Sequence, residues 1–169
     1  ATKYYEHALE IFIKHKHRKG MKRCYSNLSA EYDKTSNVKQ SLKLGFEYLS
    51  YAEEYNDSNM IYSARKILES TYSILGDAKK SLEQNYENLE MVTKHLDSSK
   101  IVSCLNSIGN NYADNLNDYS KAEKYYRQAY QIACKTGDSA HIYLTGTNIG
   151  YVLIQENKLD SAEHFLNLA

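Results

Sequence analysis

The sequence of 169 residues contains few of the residues that interrupt helices. It has no proline, no tryptophan and only 7 glycines, a composition that excludes a turn-rich β-sandwich and argues against disorder. Its three cysteines, Cys24, Cys104 and Cys134, are odd in number and widely spaced, so neither a disulfide framework nor a zinc site is predicted. Long helices are therefore the expected structure.

Net charge and long apolar runs are missing as well. The 21 lysines and arginines balance 21 aspartates and glutamates, which removes the uniform positive charge that nonspecific nucleic-acid binding requires. No window approaches 18 consecutive apolar residues, so no membrane span is predicted in this region. The first residues lack a signal-peptide pattern. A cytoplasmic location is favoured, with a periplasmic or extracytoplasmic one as the alternative if the full-length protein carries a signal or a membrane span.

What the sequence does contain is an internal repeat of about 40 residues. Apolar pairs at helical spacing begin at Leu28, Leu68, Ile108 and Ile149, which lie 40, 40 and 41 residues apart. Two further series follow nearly the same period: Leu42, Leu82, Ala122 and Ala162, and Ala8, Leu49, Leu89, Ala129 and Ala169. Each repeat is therefore predicted to be a pair of helices.

Small polar residues and glycines between these series predict where the helices begin and end. Gly20, Asn56-Asp57, Asp97-Ser98 and Gly137-Asp138 precede the first helix of each pair, and Asn37, Gly76-Asp77, Asn117-Asp118 and Asn157 precede the second. The predicted helices lie near 3–17, 21–35, 38–55, 59–75, 78–95, 99–115, 119–136, 140–156 and 159–169. We expect a single domain over 1–169, made of a half repeat at 1–19 and repeats at 20–57, 58–97, 98–138 and 139–169. Both ends interrupt a helix, so the chain is expected to be a fragment of a longer protein.

The repeats resemble the tetratricopeptide repeat. The third repeat carries the best match, with Ile108-Gly109-x-x-Tyr112 in its first helix and Ala122-x-x-x-Tyr126-x-x-Ala129 in its second. Ser29 and Glu69 replace the small residue after the leucine in the first two repeats, and the proline that often closes this repeat is absent. The long period is similar to the extended subtype found in kinesin light chains, bacterial peptide-pheromone receptors, and bacterial sensor and transcription regulators. The resemblance implies an all-α, right-handed α-solenoid of antiparallel helix pairs.

No residue pattern indicates catalysis, a metal or a cofactor. Cys24 and Cys104 share their repeat position with Ala64 and Thr145, which is typical of a packing slot for a small side chain. His15 and His17 lie two residues apart and would face different sides of a helix, so we interpret them as positive charge at a helix end. No Ser/His/Asp arrangement is evident. The protein is not expected to be an enzyme.

One stripe of the first helices, about 130° from the buried face, is the predicted binding surface, because it would line the inner side of a solenoid. Asparagine on this stripe can donate to and accept from a peptide backbone at once, and relatives of the extended subtype carry asparagine there for that purpose. The predicted partner-binding residues are Arg23, Asn27, Lys34, Lys66, Ser70, Asn106, Asn110, Asn148 and Tyr151. Residues 1–50 hold 10 basic against 5 acidic residues, so an acidic group of the partner is expected near the first two repeats.

The predicted function is a noncatalytic module that binds a protein or an extended peptide within the sensor or regulatory region of a larger signalling or transcription-regulating protein. A constitutive assembly scaffold or adaptor is the alternative, and a helical-repeat nucleic-acid binder is a more distant one. No nucleic acid or membrane is expected to bind this region. The apolar residues Phe165, Leu166 and Leu168 at the end of the chain predict end-to-end self-association of the fragment.

Overall fold

A computed structural model describes residues 2–168 of the chain, without the side chain of Leu168. Within this range it contains nine α-helices, which confirms the all-α prediction: α1 (Thr2–Lys14), α2 (Arg18–Lys34), α3 (Val38–Glu54), α4 (Ser58–Ile74), α5 (Ala78–Lys94), α6 (Ser98–Asn110), α7 (Tyr119–Thr136), α8 (Ser139–Gln155) and α9 (Leu159–Leu168). A π-helical turn, Asn111–Asn115, continues α6. The expectations for Ala169 and for the Leu168 side chain lie outside the described residues.

The junctions between helices share one backbone geometry. At each junction one residue has a positive φ, and the next residue starts a new helix or caps it. These left-handed residues are Lys16, Ser36, Asn56, Gly76, Leu96, Asn117, Gly137 and Asn157. The residues before the first helix of each pair recur with the period of the sequence repeat, and so do those before the second helix. The predicted Asn and Gly boundaries are therefore confirmed at most junctions.

The first junction differs from its prediction. The expected boundary at Gly20 is wrong, because α2 already begins at Arg18 and Lys16 is the residue with positive φ. His17 caps this helix, since its Nδ1 accepts a hydrogen bond from the Gly20 N–H at 3.0 Å. Its ring also stacks on Phe12, with centroids 5.1 Å apart. His17 thus belongs to the start of α2 and not to the charged end of the preceding helix.

The chain divides into two compact units, one ending at Asp77 and one beginning at Ala78. In the first unit, α1 to α4 enclose a core in which Tyr25, Leu28, Tyr48 and Leu68 are almost fully buried. The rings of Tyr25 and Tyr48 stack with centroids 4.3 Å apart, and the Tyr25 hydroxyl donates to Glu47 at 2.9 Å. The predicted buried stripe of the first helices is therefore confirmed in this unit.

The second unit packs α5 to α9 around a core that contains Ile108, Tyr126, Ile149 and Leu153. Gly109 allows α6 to approach α7 closely, since a methyl group at this position would overlap the Tyr126 ring. The same relation holds between α8 and α9, where a side chain on Gly150 would overlap Leu166. In these two repeats a glycine on the first helix thus faces a large side chain on the second.

The predicted alignment of the second helices is wrong by one residue in the first two repeats. The equivalent buried positions are Ser41, Ser81, Ala122 and Ala162, whereas the expected series placed Leu42 and Leu82 there. Helices α2 and α3 start the same number of residues apart as α4 and α5. The starts of α6 and α7 are one residue further apart. The π-helical turn accommodates this extra residue, because a π turn contains one residue more than an α turn.

The buried cysteines occupy the packing slot that the sequence predicts. Cys24, Ala64, Cys104 and Thr145 are all at most 4% exposed. Burial raises the pKa of the Cys24 thiol, with a smaller opposing effect from Arg23. Cys134 is exposed, and none of the three cysteines forms a disulfide bond within the described residues.

A glycine at position 96 should stabilise the protein. Leu96 has φ 54° and its side chain is 82% exposed, so the strained backbone is not compensated by burial. The left-handed conformation disfavours a residue with a Cβ by ~1–2 kcal/mol, which exceeds the extra unfolded-state entropy of glycine. We expect Leu96→Gly to raise the free energy of unfolding by about 0.5–1 kcal/mol in urea denaturation. Leu96→Ala, which keeps the Cβ, should show no such gain.

The aspartate caps should make the protein sensitive to acid. Hydrogen bonds from the Lys100, Lys121 and His141 side chains, together with backbone N–H groups, lower the pKa of Asp97, Asp118 and Asp138. A lowered folded-state pKa gives stability that is present above about pH 4 and is lost as the pH falls through the folded-state value.

The triple Asp→Asn variant at these caps tests this acid sensitivity. Asparagine also caps helices but does not titrate. Between pH 5 and pH 3 its melting temperature should fall less than that of the parent, and equal falls would contradict the assignment.

Candidate partner-binding faces

The predicted binding residues fall into two sets, one in each compact unit. The α2–α4 face comprises Arg23, Asn27, Lys34, Lys66 and Ser70 of the first unit. The α6–α8 face comprises Asn106, Asn110, Asn148 and Tyr151 of the second unit, with Ser103, Asp114 and Leu144 on the same helix stripes. The two faces differ in chemistry, since the first is basic and the second has few charged groups.

Most polar groups of the α2–α4 face already have partners within the unit. Lys34 pairs with Glu31 at 3.2 Å, and Lys66 pairs with the largely buried Glu69 at 2.6 Å. Ser70 donates to the Asp33 carboxylate at 3.5 Å. Two of the three cations expected to meet an acidic partner are therefore neutralised by neighbours on their own helices.

Arg23 and Asn27 lie at the edge of a cavity that the sequence did not indicate. The cavity has a volume of about 380 Å³ and lies between α1 and α2. Tyr5, Phe12 and Cys24 form much of its apolar wall. No sequence signal could identify this cavity, because it arises from the way two helices pack.

On the α6–α8 face, the structure brings two of the predicted asparagines together. Asn148 Nδ2 donates to Asn106 Oδ1 at 2.8 Å, across 42 residues of sequence. Asn106 is 8% exposed and Asn148 is half-buried, so the bond is partly protected from water. Within residues 2–168 the Asn106 NH₂ group and the Asn148 carbonyl oxygen form no hydrogen bond, so each can still take part in up to two.

Asn110 and Tyr151 occupy equivalent positions on the neighbouring helices α6 and α8. The carbonyl oxygen of Asn110 accepts a hydrogen bond from the buried Tyr126 hydroxyl at 2.8 Å. Tyr151 is 45% exposed and Leu144, two helical turns earlier, is 43% exposed. This face therefore combines fixed amide groups with exposed aromatic and aliphatic surface.

The structure also assembles a Ser/His/Asp arrangement that the sequence analysis did not find. Ser103 Oγ lies 3.2 Å from His141 Nε2, and His141 Nδ1 lies 2.6 Å from Asp138 Oδ2. Its only sequence signal is the three-residue spacing of Asp138 and His141, since Ser103 comes from another helix. The Ser103 hydroxyl also donates to the Ser99 carbonyl oxygen inside α6. These contacts connect α6 to the start of α8.

Among the described residues, no three His, Cys, Asp or Glu side chains lie close enough together to hold a metal ion. None of the helices in residues 2–168 combines the length and the apolar character needed to cross a membrane.

Comparison with known proteins confirms the family resemblance. Residues 101–137, from α6 to the end of α7, match the family model of the tetratricopeptide repeat. No curated protein matches the sequence. The family match thus covers most of α6, the π-helical turn and α7 in the second unit.

Solved structures share this fold at low sequence identity. BtubC (BKLC) from P. vanneervenii aligns with a TM-score of 0.85 at 17% identity, over 97% of this chain and 68% of that protein. A signal transduction ATPase with numerous domains (STAND) and a tetratricopeptide repeat sensor, from Pyrococcus horikoshii, aligns with a TM-score of 0.74 at 19% identity, over 86% of this chain but only 22% of that protein. The apo form of RapI aligns with a TM-score of 0.70 at 16% identity, over 98% and 73%. These similarities establish the tetratricopeptide-type helix-pair fold.

A methyl group at Gly109 should disturb the packing beneath the α6–α8 face. Alanine usually favours a helix over glycine by ~1 kcal/mol, but here its Cβ would overlap the buried Tyr126 ring. We expect Gly109→Ala to lower the free energy of unfolding by about 1–3 kcal/mol in urea denaturation. The matched control is Ser99→Ala at an exposed position of the same helix, which should be neutral or stabilising.

Proposed function

We propose that this chain is a noncatalytic module that binds a protein or an extended peptide segment on its α6–α8 face. The observation that carries the proposal is the Asn106–Asn148 amide pair. The general tendency of tetratricopeptide repeats to bind proteins without catalysis supports the same class of function. The module would belong to the sensor or regulatory region of a longer protein.

The amide pair matches the chemistry of a peptide backbone. An extended segment presents unpaired N–H and C=O groups, and each of these loses free energy if it leaves water without a partner. The NH₂ group of Asn106 offers a donor and the carbonyl oxygen of Asn148 offers an acceptor. Because their mutual hydrogen bond fixes both side chains in advance, binding would require little further ordering of these groups.

The apolar surface beside the pair would supply the hydrophobic part of binding. Leu144 and Tyr151 are exposed on α8 before and after Asn148. An aromatic ring and an aliphatic side chain next to fixed amides suit a segment that alternates apolar contacts with backbone hydrogen bonds. The face carries too little positive charge to favour nucleic acid.

The solved structures support a regulatory setting. The STAND protein is described as carrying a tetratricopeptide repeat sensor. Assigning a sensor role to this chain remains part of our proposal, since similarity at this level of identity shows the fold.

A scaffold that binds through its second helices is the alternative function. Phe46 on α3 and Tyr86 on α5 are 52% and 39% exposed. Exposed aromatic side chains of this kind are enriched in protein interfaces. A partner of the scaffold type would contact one of these side chains within its own unit and leave the asparagine pair free.

Selection of binding peptides tests the proposal. A displayed library of random 12-residue peptides is selected on the folded protein, and the affinities of enriched peptides are measured by titration calorimetry. Loss of a buried hydrogen bond of this kind costs about 1–3 kcal/mol, so Asn106→Ala and Asn148→Ala should each weaken binding roughly 5- to 150-fold. Asn167→Ala, at an exposed position on α9, is the matched control and should bind as the parent does.

Two results would contradict the proposal. One is enriched peptides that bind both asparagine variants as tightly as the parent. The other is a loss of binding caused by Phe46→Ser or Tyr86→Ser instead, which would favour the scaffold.

A further inference from the structure

The charge of the α6–α8 face depends on two residues. Helix α6, the π-helical turn and α8 contain only Lys100 and Asp114 as charged residues, apart from the histidine at 141. Lys100 pairs with Asp97 at 2.7 Å, at the beginning of α6. Asp114 is exposed and forms no ion pair within residues 2–168. Asp114 is therefore the only acidic side chain on α6, the π-helical turn and α8.

Asp114 lies close to the polar groups already described. It follows Asn110 by four residues and lies within the π-helical turn that continues α6. Burial raises the pKa of the Tyr126 hydroxyl, and the nearby Asp114 charge and Tyr151 raise it further. Since Tyr126 donates to Asn110, the Asp114 carboxylate and the Tyr151 hydroxyl both lie near this hydrogen bond.

We propose that Asp114 and Tyr151 form a subsite for a lysine or arginine side chain of the bound segment. This inference rests on the proposed function, since it places a basic residue beside the backbone that Asn106 and Asn148 hold. The partner segment is thus defined by its chemistry: it is extended, it contains apolar residues, and it carries a cation at this point.

The physical argument is charge complementarity. A carboxylate covered by a neutral segment loses water without gaining a partner, which opposes binding, and an acidic segment is repelled. A lysine or arginine side chain replaces the lost water with an ion pair. The Tyr151 ring adds a favourable surface for the same cation, because the face of an aromatic ring carries negative electrostatic potential.

Charge complementarity also distinguishes the α6–α8 face from the α2–α4 face. The α2–α4 face retains Arg23 as an exposed cation that has no ion-pair partner among the described residues. A basic group in the segment is therefore expected to favour the α6–α8 face over the α2–α4 face.

The peptide selection described above also tests this subsite, with a second readout. Peptides enriched on the parent protein should contain more lysine and arginine than the unselected library. For these peptides Asp114→Asn should weaken binding roughly 10-fold or more and Asp114→Lys still more, since close charge pairs at interfaces have effects of at least this size. Tyr151→Leu, which keeps an apolar side chain but removes the ring, should weaken binding by a smaller factor.

The matched control is Glu163→Gln on α9. This glutamate is also exposed, and it has no ion-pair partner in the described part of the chain. It should bind the peptides as the parent does. Thermal unfolding followed by circular dichroism verifies that each variant is folded.

Replacing the basic residue of a peptide by norleucine should cause the same loss as Asp114→Asn, and the two changes together should cause little more than either alone. Peptides that depend on Asn148 but show no basic enrichment, or that bind Asp114→Asn unchanged, would overturn the subsite and leave the proposed function intact. A library that yields no peptide dependent on Asn148 would overturn the proposed function and the subsite with it.

Discussion

The constant geometry of the helix junctions is the constraint on which the rest of this structure depends. Each junction uses one residue in the left-handed conformation immediately before the start of the next helix or its cap, as with Asn56 before Asp57 and Gly137 before Asp138. Because most of the helices between these junctions have nearly the same length, equivalent side chains return to the same face in every repeat. This repetition determines where the buried tyrosines, the cysteine slots and the candidate binding residues lie.

The π-helical turn at Asn111–Asn115 shows how the fold tolerates a departure from this period. The side chains of Asn111 and Asn115 stabilise it, since Asn111 donates to the Ser107 carbonyl oxygen and accepts from Asn115. The following helix keeps its position, and Ala122 is buried as Ser81 is in the repeat before. Asp114 lies within this turn.

The architecture was predictable from the sequence because apolar spacing and boundary residues repeat. Helix limits were predicted closely, and the buried Leu28 and Leu68 positions were assigned correctly. The register of the second helices was predicted wrongly in the first two repeats. A leucine beside the true position, such as Leu42 next to Ser41, looks more suitable for burial than a serine. Ser41 is buried through a hydrogen bond to Thr71 at 2.8 Å, which composition cannot reveal.

The candidate site was predictable only in part. Helical geometry identified Asn106 and Asn148 as members of one surface, but their direct hydrogen bond depends on side-chain packing between two helices. The ion pairs that neutralise Lys34 and Lys66 involve Glu31 and Glu69, each three residues away on the same helix, and could have been anticipated from spacing. The Ser103 contact with His141 and the apolar cavity beside Asn27 arise from tertiary packing alone.

The central claim is that the α6–α8 face binds an extended segment through the Asn106–Asn148 pair. The most direct measurement is nuclear magnetic resonance of the side-chain amide groups while a selected peptide is added to the folded protein. The account predicts that the Asn106 and Asn148 amide signals shift together and saturate at the calorimetric stoichiometry, whereas the Asn167 amide does not move. Saturable shifts confined to α3 and α5, with both paired asparagine amides unchanged, would contradict it.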